Sequence, residues 1–391
     1  MSMDLIKEKI DQAAGILNEL DIDLWLVVVR ETSLMADPVL PLVIGEDVVW
    51  QSFFVFTRDG ETAALVGNFD RDLFVRTQRF DEVLTYTQEA GTALRKLIKQ
   101  FNPQKIAVNY STDNPAADGL THGMFLMLYR YLAETPYKDR LVSAQGFCSK
   151  LRSRKLPAEI DLLSNAAKAG CMAWDAAMVQ IAPGLTEIEI GNIIDTCIAE
   201  TGGQPSFPTI VNAGDKSDPG HGRPTEATLE AGDLLHVDFG VRLEGYCSDI
   251  QRLIYFRKSA KEKPPKELVK AFDTIMGIVE KTADACRPGM EGWEVDAMAR
   301  KILTDAGYPE YPHALGHQLG RDAHDGGAVL GPKWDRYGTT PMIPLEIGNV
   351  FTLELGVRLE GIGYVGLEED VALEDSGARF LCPRQKKLIV Q

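Results

Sequence analysis

Basic charge is scarce in this chain. Its 391 residues carry 41 Lys and Arg against 57 Asp and Glu, a formal net charge of −16, and nucleic acid or an anionic membrane surface would demand a basic face. Long apolar runs are missing as well, and no uninterrupted stretch approaches the ~20 residues that span a bilayer. The opening segment MSMDLIKEKIDQAAGILNEL breaks its apolar residues with Lys and Glu at helical spacing, so it is expected to be an amphipathic helix and not a signal peptide. Paired cysteines are absent: Cys148, Cys171, Cys197, Cys247, Cys286 and Cys382 lie far apart, with no C-x-x-C spacing. That excludes a zinc ribbon or a dithiol redox motif and suits reduced thiols in a cytoplasm. The N-terminal third also has no glycine-rich phosphate loop.

What is present is ordinary globular material, 45% hydrophobic and 25% charged, enough for two domains with full-sized cores. Strand-like runs LWLVVV (24–29), FFVF and TAALVG, the last two flanking the turn Arg58-Asp59-Gly60, alternate with helical patterns up to KIAVNY (105–110). This predicts a small α/β domain over residues 1–150. The basic, proline-marked stretch CSKLRSRKLPAEID (148–161) forms the boundary, and a second domain is expected over 158–391, opening on a long helix near Pro157.

The second domain repeats itself. APGLTEIEIGNIIDTCIAETG (182–202) aligns without gaps on RPGMEGWEVDAMARKILTDAG (287–307), and GDLLHVDFGVRLEG (232–245) aligns on GNVFTLELGVRLEG (348–361). Each copy reads as a Pro-Gly turn, a helix ending at glycine and a hairpin, so an α+β domain with pseudo-two-fold symmetry is predicted. In the first hairpin Asp238 and Asp249 are expected to face each other across the strand pair. The second copy supplies Glu354, aligned on Asp238, and then Glu368. A two-fold arrangement would gather the four acids, and like charges so close call for divalent cations between them. Five of the six histidines, His221, His236, His313, His317 and His324, fall within the same domain. An oxygen-rich site with one imidazole suits Mn, Fe or Co better than structural zinc. His236 and His122 are read as structural.

The order Asp238, Asp249, His317, Glu354, Glu368, in the contexts HVDFG, GHQLGRDAHD, FTLELG and LEEDVAL, resembles the pita-bread metallopeptidases: methionine aminopeptidase, prolidase and aminopeptidase P, with creatinase as a non-metal relative. The resemblance implies a C-terminal pita-bread catalytic domain behind a smaller α/β N-terminal domain of the creatinase and prolidase type. It implies two divalent ions, manganese first, with Fe, Co or Zn as alternatives. Asp249 and Glu368 would bridge them, Asp238 would complete one shell, and His317 and Glu354 the other. A hydroxide between the ions would attack the peptide carbonyl while Glu354 takes up and returns its proton. His221 and His324 would donate hydrogen bonds to the scissile amide and the developing oxyanion, and His313 would assist at the substrate. Glu369 is the rival of Glu368 for the last ligand position.

The expected activity is therefore that of an Xaa-Pro aminopeptidase or dipeptidase acting on small peptides near a free amino terminus, in a cytoplasmic homodimer. Prolidases and aminopeptidases P usually place Arg two residues before the last ligand and Asp after it. This chain has Gly366 and Glu369 there, so proline specificity is expected to be weakened. Arg242 and Arg358, from the repeated GVRLEG runs, are the candidates to reach the same space, although their symmetric positions suggest paired structural roles. The alternatives are a non-peptide amidohydrolase or lyase on the same scaffold, and a non-catalytic binding module.

Overall fold

The computed structural model describes residues 3–216 and 222–391. The chain divides into two compact units, Met1–Arg152 and Ser153–Gln391.

In the first unit the alternating runs form α1 (Met3–Glu19), β1 (Leu24–Val29), α2 (Leu40–Val43), β2 (Ser52–Thr57), β3 (Thr62–Gly67), α3 (Arg71–Thr77), β4 (Glu82–Tyr86), α4 (Ala90–Phe101), β5 (Ile106–Val108), α5 (His122–Tyr131), β6 (Leu141–Ser143) and α6 (Gln145–Ser153). The six strands make one mixed sheet in the order β4-β3-β2-β1-β5-β6. Its central strand LWLVVV is buried throughout, which is why that run is continuously apolar instead of alternating. His122 is an exposed residue at the start of α5.

The second unit opens with α7 (Pro157–Met178), α8 (Glu187–Glu200), β7 (Gln204–Pro205), β8 (Ile210–Ala213), β9 (Leu234–Phe239), β10 (Val241–Leu243), β11 (Tyr246–Cys247) and β12 (Ile250–Tyr255). It continues with α9 (Lys266–Ala285), α10 (Gly292–Asp305), β13 (Val350–Leu359), β14 (Gly363–Glu374), β15 (Gly377–Phe380) and β16 (Ile389–Val390). The predicted duplication is visible in detail. α8 and α10 occupy equivalent positions of the two copies; Glu294 accepts from the Glu291 amide at the start of α10, and at the start of α8 Thr186 and Glu189 each accept from the other's amide in a reciprocal capping box. Such a box satisfies two of the backbone donors a helix start leaves open.

The main sheet runs β13-β14-β12-β9-β8, with β15 on β14 and β16 on β12. Side chains alternate along each strand. One set is apolar: Val237, Phe239, Ile250 and Ile254 pack with α7 and α8, and Phe351, Leu353, Leu355 and Leu367 pack with α9 and α10. The alternate set, facing away from those helices, includes Asp238, Gln251, Glu354 and Glu368.

The first hairpin corrects one expectation. Its turn is the two-residue Glu244-Gly245, with Leu243 paired to Tyr246 and both turn residues at positive φ, 50° and 82°. That geometry matches the strand twist and moves the register by one residue on each strand, so Asp238 pairs with Gln251 and not with Asp249. Where β9 passes into β10, a Cβ on Gly240 would lie 1.9 Å from the Ser248 carbonyl oxygen.

The caps carry a measurable share of stability. Thr186→Ala removes the side chain that accepts from the Glu189 amide and should cost about 1 kcal/mol. The expected readout is a fall of about 2–4 °C in thermal midpoint; an unchanged midpoint would show that the cap contributes nothing.

Candidate metal centre

Register alone builds the centre. Glu354 pairs with Glu368, Glu368 with Gln251, and Gln251 with Asp238, so four side chains stand in one row across β13, β14, β12 and β9. Asp249 precedes β12 and lies close to both Asp238 and Glu368, near enough for carboxyl groups to share a proton. His317 arrives on a segment that runs beside β13: Thr352 N donates to His317 O at 3.0 Å, and Glu354 N to Leu315 O at 2.7 Å.

His317 Nε2 sits 3.8 Å from Asp249 Oδ2, 3.7 Å from Glu354 Oε1 and 4.0 Å from Glu368 Oε1. These separations are too long for hydrogen bonds, while donors at about 2.1 Å from a common cation lie roughly 3–4 Å apart. Its Nδ1 lies 3.4 Å from the Gln318 carbonyl oxygen, a contact that favours the proton on Nδ1 and a lone pair on Nε2 facing the acids. Asp249, His317 and Glu368 each present a ligand atom within 4.8 Å of the others.

Three buried oxygens, Asp238 Oδ1, Asp249 Oδ1 and Glu368 Oε1, find no hydrogen-bond donor among the described residues. Orphaned carboxylate oxygens are costly, and two of the acids that carry them, Asp249 and Glu368, each present an oxygen to the His317 imidazole, a donor set that fits divalent cations. The protonation energetics agree. Burial pushes Asp238 up to about 7; burial and the Asp238 charge push Glu354 up to about 8. Burial and then the Asp238 charge raise Asp249 well above the carboxylate range, and burial and then the Asp249 charge do the same to Glu368.

The rival Glu369 points to the other side of β14, where Arg252 grips both its oxygens at 3.1 Å. The row opens into a cavity of about 710 Å³ bordered by His313, His317, His324, Tyr311, Tyr364 and Arg358. His324 lies ring to ring with His317, centroids 4.2 Å apart, and is exposed, as is His313. The buried Lys155–Asp325 ion pair, 2.9 Å, anchors the chain next to His324. Arg300 donates to the carbonyls of Tyr311 and His313. His221 lies outside the described residues.

Sequence reasoning missed three neighbours of this centre. Gln251 sits inside the acid row. Tyr364 and Tyr311 are hydrogen-bonded to each other, and burial raises both phenols, so they remain protonated. A side chain at Gly356 or Gly366 would collide with the Tyr364 ring, with Cβ contacts of 2.4 Å at each. His236, read as structural, is indeed buried and hydrogen-bonded, yet it also borders the cavity. The correct hairpin register would have exposed Gln251 from sequence; the tyrosines carry no local signal. The two repeated arginines are not equivalent. Arg242 holds Arg321 O and Asp322, whereas Arg358 borders the cavity and pairs with Asp215 at 2.6 Å. A second cavity, about 620 Å³, lies in the N-terminal unit near Arg30, Trp50, Tyr86 and Tyr131, without a gathering of acids or histidines.

Fold and donor set together define a metallopeptidase of pita-bread architecture. The chain belongs to metallopeptidase family M24, whose model matches residues 161–375. It is 34% identical over 253 residues to YkvY of Bacillus subtilis (strain 168), described provisionally as a dipeptidase; the match covers 64% of this chain and 66% of that protein. The aligned region thus spans about two thirds of that relative's length. Among solved structures, the Xaa-Pro dipeptidase from Bacillus anthracis superposes with a TM-score of 0.79 at 24% identity, covering 99% of this chain and 100% of that one. The N-terminal domain of the FACT complex subunit SPT16 from Cicer arietinum superposes with 0.73 at 14% identity, covering 100% and 99%. These structural likenesses concern the fold. Membership in the family implies divalent metal ions as cofactors and peptides as substrates. Among the described residues no helix is long and apolar enough to cross a membrane.

The raised carboxyl values give a signed pH dependence. Chelator-treated protein, folded, still holds protons on Asp238 and Glu354 that the unfolded chain releases near pH 4, so its stability falls as pH rises towards about 7 and 8. Its thermal midpoint should drop by several degrees between about pH 5 and pH 8, and saturating divalent cation should abolish the drop. Scanning fluorimetry decides it: a flat profile for the chelated protein would contradict the crowding of the acids.

Proposed function

We propose that the chain is a dinuclear metal-dependent peptidase of the Xaa-Pro aminopeptidase or dipeptidase type, cleaving a peptide bond near a free amino terminus. The observation that carries this reading is the gathering of Asp249, Glu354 and Glu368 oxygens within 4.0 Å of His317 Nε2, beside buried carboxylate oxygens of Asp238, Asp249 and Glu368 that have no donor among the described residues, a donor set that divalent cations complement. Asp249 and Glu368 would each serve both ions, Asp238 would complete one shell, and His317 and Glu354 the other. Manganese is the first choice of metal, with Fe, Co and Zn as alternatives. A bound cation pair lowers the pKa of water and polarises a peptide carbonyl.

The side chains around it supply the rest. Glu354, which borders the cavity, would accept and return a proton. His324 stands beside His317 with its ring open to the cavity, in position to donate to the scissile amide; His221 is proposed to share that task and His313 to contact the substrate further out. Residues 1–150 serve as the N-terminal domain of the prolidase type and 158–391 as the catalytic domain. Exposed Leu34, Met35 and Phe69, at 81%, 58% and 83%, support self-association into a homodimer, and the free cysteines support a cytoplasmic location.

Three measurements test the reading. Metal analysis of manganese-loaded protein should give about two ions per chain, and Asp249→Ala or Glu368→Ala should lose most of the metal together with peptide hydrolysis. Full retention of metal by both variants would refute the centre. His324→Ala should keep its metal and lose at least about 100-fold in kcat; an empty variant would make His324 a ligand. Because Tyr364 and Gln251 fill the room over Gly366, turnover of Xaa-Pro dipeptides should stay below about 10⁴ M⁻¹s⁻¹ in kcat/KM, with other short peptides preferred. Faster turnover of several Xaa-Pro dipeptides would remove the specificity argument and leave the hydrolase reading in place.

A further inference from the structure

Gln251 is the one neutral member of the acid row, and it is 4% exposed. Its Nε2 donates to Glu368 Oε2 at 2.9 Å and reaches Asp238 Oδ2 at 3.4 Å, so both amide hydrogens point at carboxylates. The remaining amide atom, Oε1, lies 3.0 Å from His236 Nε2. With two acids on one side, the carboxamide has a single workable orientation, and His236 must carry its proton on Nε2. His236 Nδ1 is then an acceptor; Asn212 Oδ1 lies 3.0 Å from it, so this tautomer requires the Asn212 amide in its flipped assignment, with the NH2 donating to Nδ1. The result is a directed chain, Asn212 to His236 to Gln251 to the two acids.

The chain of donors has a geometric consequence. Gln251 occupies Oε2 of Glu368 and Oδ2 of Asp238, and the partner oxygens, Glu368 Oε1 and Asp238 Oδ1, are the buried ones without a donor among the described residues. One amide therefore selects which oxygen each carboxylate presents, and it does so for one acid from each repeat. Glutamate at this position would add a further carboxylate to three already in line; glutamine keeps the shape and replaces the charge by two N–H donors. The surroundings hold it in place. A Cβ at Gly366 would come 2.7 Å from Gln251 Oε1, and Tyr364 packs edge-on against His236 at 4.9 Å and 90°.

We propose that Gln251, oriented by His236, is a positioning residue that sets the coordinating oxygens of Asp238 and Glu368 and so couples the two cation positions. The proposal rests on the reading of the acid row as a cation site. Outer-shell partners of this kind are worth about 10–100-fold in metal affinity.

The test is calorimetric titration of chelated protein with Mn²⁺, with electron paramagnetic resonance of the loaded protein reporting coupling between neighbouring ions. Gln251→Met, of similar length and without donors, should weaken at least one binding step by about 10–100-fold and alter the coupled signal. His236→Leu, which frees the amide, should do the same and serves if Gln251→Met does not fold. His236→Gln, which keeps an N–H near the Nε2 position, should restore binding, and the Gln251→Met/His236→Leu double variant should be no worse than Gln251→Met alone. Wild-type binding constants and signal in both single variants, or fully additive losses in the double variant, would overturn the proposal. Asp249→Ala separates the two readings. If it keeps its metal, the cation site and this proposal fall together; if it loses its metal while Gln251→Met and His236→Leu bind normally, only the positioning role falls.

Discussion

Repulsion among buried carboxylates is the constraint on which this molecule is organised. Glu354, Glu368 and Asp238 stand in one row, with Asp249 against two of them, and burial pushes their pKa values upward. A folded chain tolerates that arrangement only if protons or cations stand among the oxygens. The same cost explains why the row needs a rigid sheet: strands backed by α7 and α8 on one half and by α9 and α10 on the other hold the charges together when electrostatics alone would part them.

Duplication supplies the scaffold, and departures from symmetry make it a site. The hexapeptide GVRLEG is identical in both copies, yet the first hairpin turns through Glu244-Gly245 and the second through three residues, with Leu359 paired to Gly363. Gly363, at φ 122°, permits the longer turn. That one extra residue makes Glu368 the partner of Glu354 where Gln251 is the partner of Asp238. Equivalent places in the two halves thus carry an acid in one and an amide in the other. The repeated arginines diverge likewise: Arg242 braces the Arg321–Asp322 segment, and Arg358 borders the cavity.

Aromatic packing shapes what the centre faces. The Tyr364 ring covers both Gly356 and Gly366 and hydrogen-bonds to Tyr311, while Arg300 holds the backbone that carries Tyr311 and His313. A side chain at position 366 would collide with this ring where it stands, so the ring uses the space that Gly366 leaves. A fold by itself is silent on chemistry; the acids, the imidazole and their spacing define the site.

The sequence by itself determined the elements, the duplication and the identities of the acids and histidines that the structure gathers. Those signals are local: Pro-Gly turns, helix-ending glycines, strand-like runs and short motifs around each residue, all of which act within a few positions along the chain. Tertiary structure decided the rest. Register in the first hairpin depended on two positive-φ residues, and a slip of one residue on each strand is enough to exchange Asp249 for Gln251 as the partner of Asp238. Glu368 was separated from Glu369 by the side of β14 each occupies, and by Arg252 waiting on the far side. Gln251 meets Glu368 across 117 residues of sequence, a distance over which no periodicity in either segment speaks. Long-range strand pairing, and the packing that selects one pairing over its neighbours, converted a set of legible residues into a centre with particular oxygens facing inward.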